Sequence, residues 1–453
     1  MAFNGRGAIA AVPILAAVIS IAAVTTTEAT AAAPESTALL KAVSDLSNRR
    51  PMVASRAIFN ERGVKLIEHG AALDGSLYDR LIQHRLSAPL DECVEVEPCV
   101  SADSLRAAAQ DAMQGSPFFE QIGPTPAIRN RILEAVSAIP LPRPIAFQLT
   151  LAREERPALF EHSVLMALLC AHLVREGGAP GHDITMAAAA GLLHDLGMLH
   201  IEPDLLAPGN PLVGEQRRPL YAHSLTSSIL VGRFHEFPRE VARAVLEHHE
   251  RMDGSGYPRA LAGEGISPLG RVLSLAEVVT AMFGLDRPYP AQRVALLLRM
   301  SPRRFDPLLV PSIHRMLRRL PLPTDLPAVP VADSIERLRR LSGLLTDWQA
   351  VAATPGIDAQ GPGPAIMQAI AAQIETLQRM LFDAGIQVEQ LALLSDSDNA
   401  DDPAVAIELW ILGEELQWQL TTTAHQIRRR WRTGDGESRL PGPVADWLAR
   451  VDR

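Results

Sequence analysis

The chain has 453 residues, 47 % of them hydrophobic and 21 % charged, which excludes a disordered or fibrous protein and provides for about three domains at roughly 150 residues each. Aromatic residues make up only 4 %, and 35 Pro and 30 Gly punctuate a chain rich in Ala, Leu, Val and Ile, a balance that favours short helices over large β-sandwiches. A net charge of −9 argues against a nucleic-acid polymer as partner, and three cysteines (Cys93, Cys99 and Cys170) are too few for a disulfide-stapled scaffold.

The first segment, residues 1–33, carries an Ala/Ile/Val-rich stretch from Ala8 to Val24, preceded by Arg6 and followed by Ala29, Ala31 and Ala33. It reads as a secretory signal, a marginal membrane anchor or an unstructured leader. The chemistry found downstream favours a cytoplasmic location, with export or anchoring through 8–24 as the alternative. Residues 34–144 read as a small α+β region. Within it Ala57-Ile58-Phe59, the turn Asn60–Gly63 and Val64–Ile67 predict a hairpin. Leu73–Arg85 has helical spacing, and Cys93–Val96 reads as a strand. Residues 101–150 look helical, with breaks at Pro117, Pro124, Pro140, Pro142 and Pro144. The 53–100 unit is too short for a doubly wound receiver domain.

Residues 145–320 are dominated by helical patterns, and Pro321–Pro330 reads as a linker. Beyond it, over 331–453, lie three amphipathic segments. One runs from Val331 through Ile335, Leu338, Leu341 and Leu345 to Trp348. The second runs from Ile366 through Ile370, Ile374, Leu377, Leu381, Ala384 and Val388 to Leu391. The third runs from Val405 through Leu409, Leu412, Leu416, Leu420, Ala424 and Ile427 to Trp431. Steps of three and four place each set on one stripe, which predicts a three-helix bundle or a homodimerising module. The basic run Arg428–Arg432 reads as a solvated helix end.

The middle region holds a set of candidate ligands in order: His162, His194-Asp195, His223, His248-His249 and Glu277. Taken singly, each is an ordinary core or surface residue, and Asp253–Pro258 is an ordinary Gly/Pro turn. Together, imidazoles and carboxylates suit Fe, Mn, Zn or a similar ion. Two ions a few ångströms apart need a bridging carboxylate to relieve their repulsion. They lower the pKa of a bridging water towards neutrality, and the hydroxide formed can attack phosphorus in line.

The ordered combination resembles the HD-GYP family of bacterial cyclic di-GMP phosphodiesterases, within the HD hydrolase superfamily. The resemblance covers roughly residues 145–320. It rests on His162, Leu193–Gly197, His223, the run His248-His249-Glu250-x-x-Asp253-Gly254-Ser255-Gly256-Tyr257-Pro258, Ala276-Glu277 and Arg287-Pro288-Tyr289. It implies a mainly α protein with an all-helical HD-type metal-dependent phosphohydrolase core. It implies His162, His194, Asp195, His223, His248, His249 and Glu277 as metal ligands, with Asp195 as bridge and His194-Asp195 as the catalytic pair. Arg287, Gly256, Tyr257 and Pro258 are then the substrate-binding candidates, and two divalent ions, Fe or Mn, are the cofactors. The implied activity is hydrolysis of cyclic di-GMP to pGpG or GMP by a metal-bridged hydroxide, in second-messenger signalling. A cyclase or another signalling protein is the implied partner, through the Gly-Tyr-Pro loop or the C-terminal helices.

The chain departs from the family pattern in ways that matter chemically. Met198 stands where the family has a phosphate-contacting Lys, with His200 two residues on as a substitute. Glu277 replaces a ligand Asp, Thr280 a second Asp, and Pro290 a basic residue. Ala158 occupies the place of the Glu that serves a third ion, so two ions are expected. These losses set a second reading beside the enzyme: a catalytically weak nucleotide sensor or protein scaffold.

Overall fold

The computed structural model describes residues 36–206, 217–284, 287–323, 329–354, 364–383, 402–430 and 441–452. The stretch 8–24 lies outside them. The chain forms two compact units, one of residues up to 286 together with 303–320, the other of 287–302 together with 321 onwards. The N-terminal α+β segment thus belongs to the same unit as most of the helical core. Residues 287–302, which the sequence reading assigns to the 145–320 domain, belong to the second unit.

The first unit opens with helix α1 (Thr37–Ser47), capped by the Ser36 hydroxyl on the Leu39 amide. Strand β1 (Met52–Ala54) then pairs antiparallel with β4 (Ala72–Leu73) on one side and β5 (Val94–Val96) on the other, in register Met52↔Leu73 and Val53↔Glu95. Met52 and Ala54 face inward and Val53 outward, the period of two that a half-buried strand requires. Strands β2 (Ile58–Phe59) and β3 (Lys65–Ile67) form the hairpin that the turn residues predict. There the Asn60 side-chain oxygen accepts from the Arg62 and Val64 amides, and Gly63 takes φ +75°. The helix expected over Leu73–Arg85 is only α2 (Leu77–Leu81). The Asp74 carboxylate accepts from the Ser76 amide at 2.9 Å and also from its hydroxyl, and that turn delays the helix.

A helical core follows: α3 (Ala102–Gln114), α4 (Pro117–Glu120), α5 (Pro126–Ser137), α6 (Arg143–Glu155), α7 (Pro157–Glu176) and α8 (Gly181–Leu193). Several start with Pro in the first turn, where its missing N–H costs nothing. Next come a 3₁₀ turn (Leu196–His200), α9 (Arg218–Gly232), α10 (Arg239–Glu247), α11 (Pro268–Gly284) and, after the excursion through the second unit, α13 (Val310–Leu317). Helix α7 is long and apolar enough to cross a membrane by composition. Phe160, Val164 and Met166–Leu173 are nevertheless buried within the unit, which makes it the central core helix.

Two glycines set the spacing around the site. At Gly191 a Cβ would lie 2.7 Å from the Met166 carbonyl, so α7 and α8 cross backbone to backbone. At Gly197 it would lie 2.3 Å from the His223 carbonyl oxygen, and the Gly197 amide donates to Ser227 Oγ at 2.8 Å. That contact locks the 3₁₀ turn against α9. The N-terminal segment is tied to the same elements through Asp91, which is buried. Asp91 accepts from Gln148 Nε2 on α6 at 2.5 Å and from Arg233 at the end of α9 at 3.2 Å.

The second unit contains α12 (Pro290–Met300), α14 (Val331–Ala352), α15 (Pro364–Asp383), α16 (Pro403–Arg430) and α17 (Gly442–Val451). The three expected amphipathic segments are α14, α15 and α16; Ala384, Val388, Leu391 and Trp431 lie outside the described residues. Helices α12 and α17 join them in this unit. Trp447 of α17 packs edge-on against Trp348 with centroids 4.8 Å apart and donates to the Leu344 carbonyl at 2.8 Å. Arg428, the described head of the basic run, pairs with Asp452 rather than standing free in solvent.

Replacing Gly191 by Ala should lower stability by roughly 1–3 kcal/mol, the usual cost of overpacking a closed crossing. Urea denaturation followed by circular dichroism measures it; an unchanged midpoint would mean the two helices can separate at no cost.

Candidate metal centre

Two helix ends and three helix interiors deliver the predicted ligands to a single place. His162 projects from α7 and Glu277 from α11. His194 caps α8 and is followed at once by Asp195. His223 sits in α9, and His248 caps α10 with His249 next to it. Their donor atoms fall into three overlapping groups, each within 4.8 Å: His162, His194 and Glu277; His194, Asp195 and His248; and His223, His248 and His249. All seven sequence-predicted ligands are therefore brought together, with Asp195 between the two outer groups.

The distances are those of a centre short of a positive charge. Glu277 Oε2 lies 3.0 Å from His162 Nε2 and 3.3 Å from His194 Nε2. Asp195 reaches both sides, with Oδ2 3.4 Å from His194 Nε2 and Oδ1 3.1 Å from His223 Nε2. Against the upward push of burial, His194 and His223 hold the Asp195 carboxyl well below its usual range. His162 and His194 do the same for Glu277. Burial pushes the His194 imidazole down, but Asp195 and Glu277 outweigh it and lift the group to about 10. Burial takes His248 down to about 3. An imidazole held charged by carboxylates beside one held neutral marks a site whose carboxylates need a cation.

Ring orientation answers whether these residues fit metal ions. The Nδ1 of His194 bonds the Gly191 carbonyl at 2.8 Å, that of His248 the Val245 carbonyl at 2.6 Å, and that of His223 the Leu220 carbonyl. A carbonyl only accepts, so each Nδ1 carries a proton and each Nε2 is turned into the cluster, where a ligand lone pair is needed. Yet His223 Nε2 lies 3.2 Å from His248 Nε2 and 3.1 Å from His249 Nε2. Lone pairs facing one another at that distance repel unless a cation lies among them. In addition, His194 Nε2 and Asp195 Oδ1 are buried with no hydrogen-bond partner among the described residues. Buried polar atoms left unpaired are costly, and ligation to divalent ions satisfies them all. The residues fit.

The departures from the family pattern also find their places. Glu277 reaches both His162 and His194, so the extra methylene does not take its carboxylate out of the cluster. Thr280, one turn on, is fully buried, and its hydroxyl has no hydrogen-bond partner among the described residues. His200 does not stand in for the missing Lys at Met198. Its Nδ1 faces the Ser36 hydroxyl at 3.3 Å, and burial lowers it to about 4. Arg156 does approach Met198, but its guanidinium donates to the Met198 and Ile201 carbonyls and so fixes the turn.

Of the substrate-binding candidates, Gly256 and Tyr257 are buried, Pro258 is exposed, and Arg287 is exposed in the second unit. Sequence reasoning assigned no role to Glu250 or Arg251. Glu250 accepts from the Arg259 and Leu261 amides at 2.8 and 2.9 Å and so closes the Gly-rich loop. Arg251, 1 % exposed, donates to the His248 and Glu250 carbonyls and to Ser274 Oγ. The signal was available for Glu250, which stands in the same run as the ligands. The orienting backbone carbonyls have no sequence signature.

The HD domain family matches residues 147–309. Over 131 residues the chain is 34 % identical to the 3'3'-cGAMP-specific phosphodiesterase 1 of Vibrio cholerae, covering 29 % of this chain and 30 % of that protein. It is 36 % identical over 134 residues to the cyclic di-GMP phosphodiesterase PA4108 of Pseudomonas aeruginosa, covering 29 % and 31 %. It is 31 % identical over 144 residues to the cyclic di-GMP phosphodiesterase response regulator RpfG of Xanthomonas campestris, covering 30 % and 38 %. The chain thus spans about a third of the length of these curated relatives. Residues 147–309 thus carry an HD domain, and these relatives together with the run from His248 to Pro258 support an HD-GYP assignment for that domain.

Proposed function

We propose that this chain is a divalent-metal-dependent phosphodiesterase that hydrolyses cyclic di-GMP to pGpG and onward to GMP in the cytoplasm. The observation that carries the reading is the set of five imidazoles and two carboxylates whose donor atoms converge in three overlapping groups, each within 4.8 Å. The relatives' names, cyclic di-GMP and 3'3'-cGAMP phosphodiesterases, support a cyclic dinucleotide as substrate class.

Two divalent ions, Fe or Mn, would supply Lewis-acid stabilisation of phosphate charge and activation of water. His162, His194 and Glu277 would hold one ion and His223, His248 and His249 the other, with Asp195 shared between them. The chain's own part is preorganisation. The Gly191, Leu220 and Val245 carbonyls keep Nδ1 protonated, so the Nε2 lone pairs stay turned inward. Asp195 and Glu277 keep their charge at neutral pH because the imidazoles beside them hold their carboxyls low.

Met198 favours a second reading, a nucleotide-binding sensor of low activity. A thioether offers neither charge nor a proton to a departing ribose oxygen.

Two outcomes follow. The double variant His194→Ala, Asp195→Ala should lose bound Mn or Fe by elemental analysis, since it removes the shared carboxylate and a ligand of one ion; full occupancy would refute the assignment. The Mn- or Fe-loaded chain incubated with cyclic di-GMP should release pGpG or GMP, resolved by chromatography, and Met198→Lys should raise the rate about tenfold or more, as a preorganised cation at developing charge does. Tight binding without product in both proteins would establish the sensor instead.

A further inference from the structure

We infer that Tyr257 is the positioning residue for His249, turning that imidazole towards its metal ion by stacking; this rests on the metal-centre reading above. His194, His223 and His248 are each oriented by a carbonyl three residues earlier. Among the described residues no acceptor does this for His249, yet its Nε2 still comes within 3.1 Å of His223 Nε2.

What holds the ring is Tyr257. The two rings stack with centroids 4.5 Å apart and planes 23° from parallel. The Tyr257 amide also donates to the His249 carbonyl at 3.2 Å. One residue therefore grips both the main chain and the side chain of the other. Tyr221, two residues before His223, meets the Tyr257 ring edge-on at 5.0 Å. Stacking fixes the plane of an imidazole while leaving Nε2 free, which a hydrogen bond to that atom would not.

The loop that brings Tyr257 into place is itself closed. Glu250 fastens its far side through the Arg259 and Leu261 amides. Gly256 passes so close to the main chain that a Cβ would lie 2.4 Å from Glu250 Cα and 2.5 Å from the His249 carbonyl oxygen. Gly254 supplies a left-handed φ of +79°. Tyr257 is 6 % exposed. On this reading the Gly-rich loop is a clamp on a metal ligand: its glycines allow the close approach and its tyrosine sets the ring.

The experiment titrates the metal-free full chain with Mn²⁺ and with Co²⁺. Occupancy per chain is read by equilibrium dialysis and elemental analysis, and ligand geometry by the visible Co²⁺ spectrum. Tyr257→Leu should weaken one ion about 10–100-fold, the usual effect of losing a group that orients a ligand, and leave the other ion at wild-type affinity. Tyr257→Phe, which keeps the ring, should bind both ions as the wild type does. Glu250→Gln loosens the loop without touching the aromatic stack and should weaken the same single ion, which keeps the test decisive if Tyr257→Leu fails to fold. Unchanged binding of both ions in Tyr257→Leu, or in Glu250→Gln if the first does not fold, overturns the inference, as does equal loss in Tyr257→Phe and Tyr257→Leu. A wild-type chain that takes up no Mn²⁺ overturns the metal-centre reading itself, and this inference with it.

Discussion

The first unit depends on one electrostatic constraint. Five imidazole nitrogens and two carboxylates meet in a largely buried space, and three of the rings have already given their Nδ1 protons to backbone carbonyls. The carboxylates cannot share those protons, and the facing lone pairs repel. Added positive charge resolves both conflicts. Fully buried polar groups without compensation are among the most costly features a fold can hold, so the centre accounts for the rigidity built around it.

That rigidity is visible in how the ligands are mounted. His194 and His248 sit where helices α8 and α10 stop, so each reaches back to a carbonyl of its own last turn. Gly191 and Gly197 let three backbones approach closely enough for His162, His194 and His223 to converge. Arg251 and Arg156 are largely buried and donate to backbone carbonyls of the turns that carry His248 and Met198. The turn of Asp195 also touches the N-terminal segment through His200 and Ser36, and α9, which holds His223, ends on the pair Arg233–Asp91. The α+β segment is in this way part of the scaffold of the site.

The convergence of these seven side chains was legible because the ordered motifs, above all the long run from His248 to Pro258, resemble a family whose ligands stand at these positions. The hairpin at 58–67 was legible from its turn residues. The helix over Leu73–Arg85 was misread because helical spacing does not reveal that the Asp74 side chain captures the Ser76 amide first. A role for His200 was misread because proximity in sequence to Met198 says nothing about which side of a 3₁₀ turn a ring faces. The carbonyls that orient the imidazoles were invisible, since any residue supplies one. The grouping of residues 287–302 with the C-terminal helices was likewise hidden, because an amphipathic stripe does not name the surface that covers it.

The overall charge of −9 is consistent with an anionic substrate only if local positive charge comes from elsewhere. On the proposed function bound ions would supply that charge, since Met198 carries none. The account therefore stands on the ions. The most direct measurement is a crystal structure of the Mn²⁺-loaded chain with anomalous data at the manganese edge. The account predicts two peaks, one bounded by His162, His194 and Glu277 and the other by His223, His248 and His249, with Asp195 between them. No peak in this cluster, or ions held only elsewhere, would contradict it.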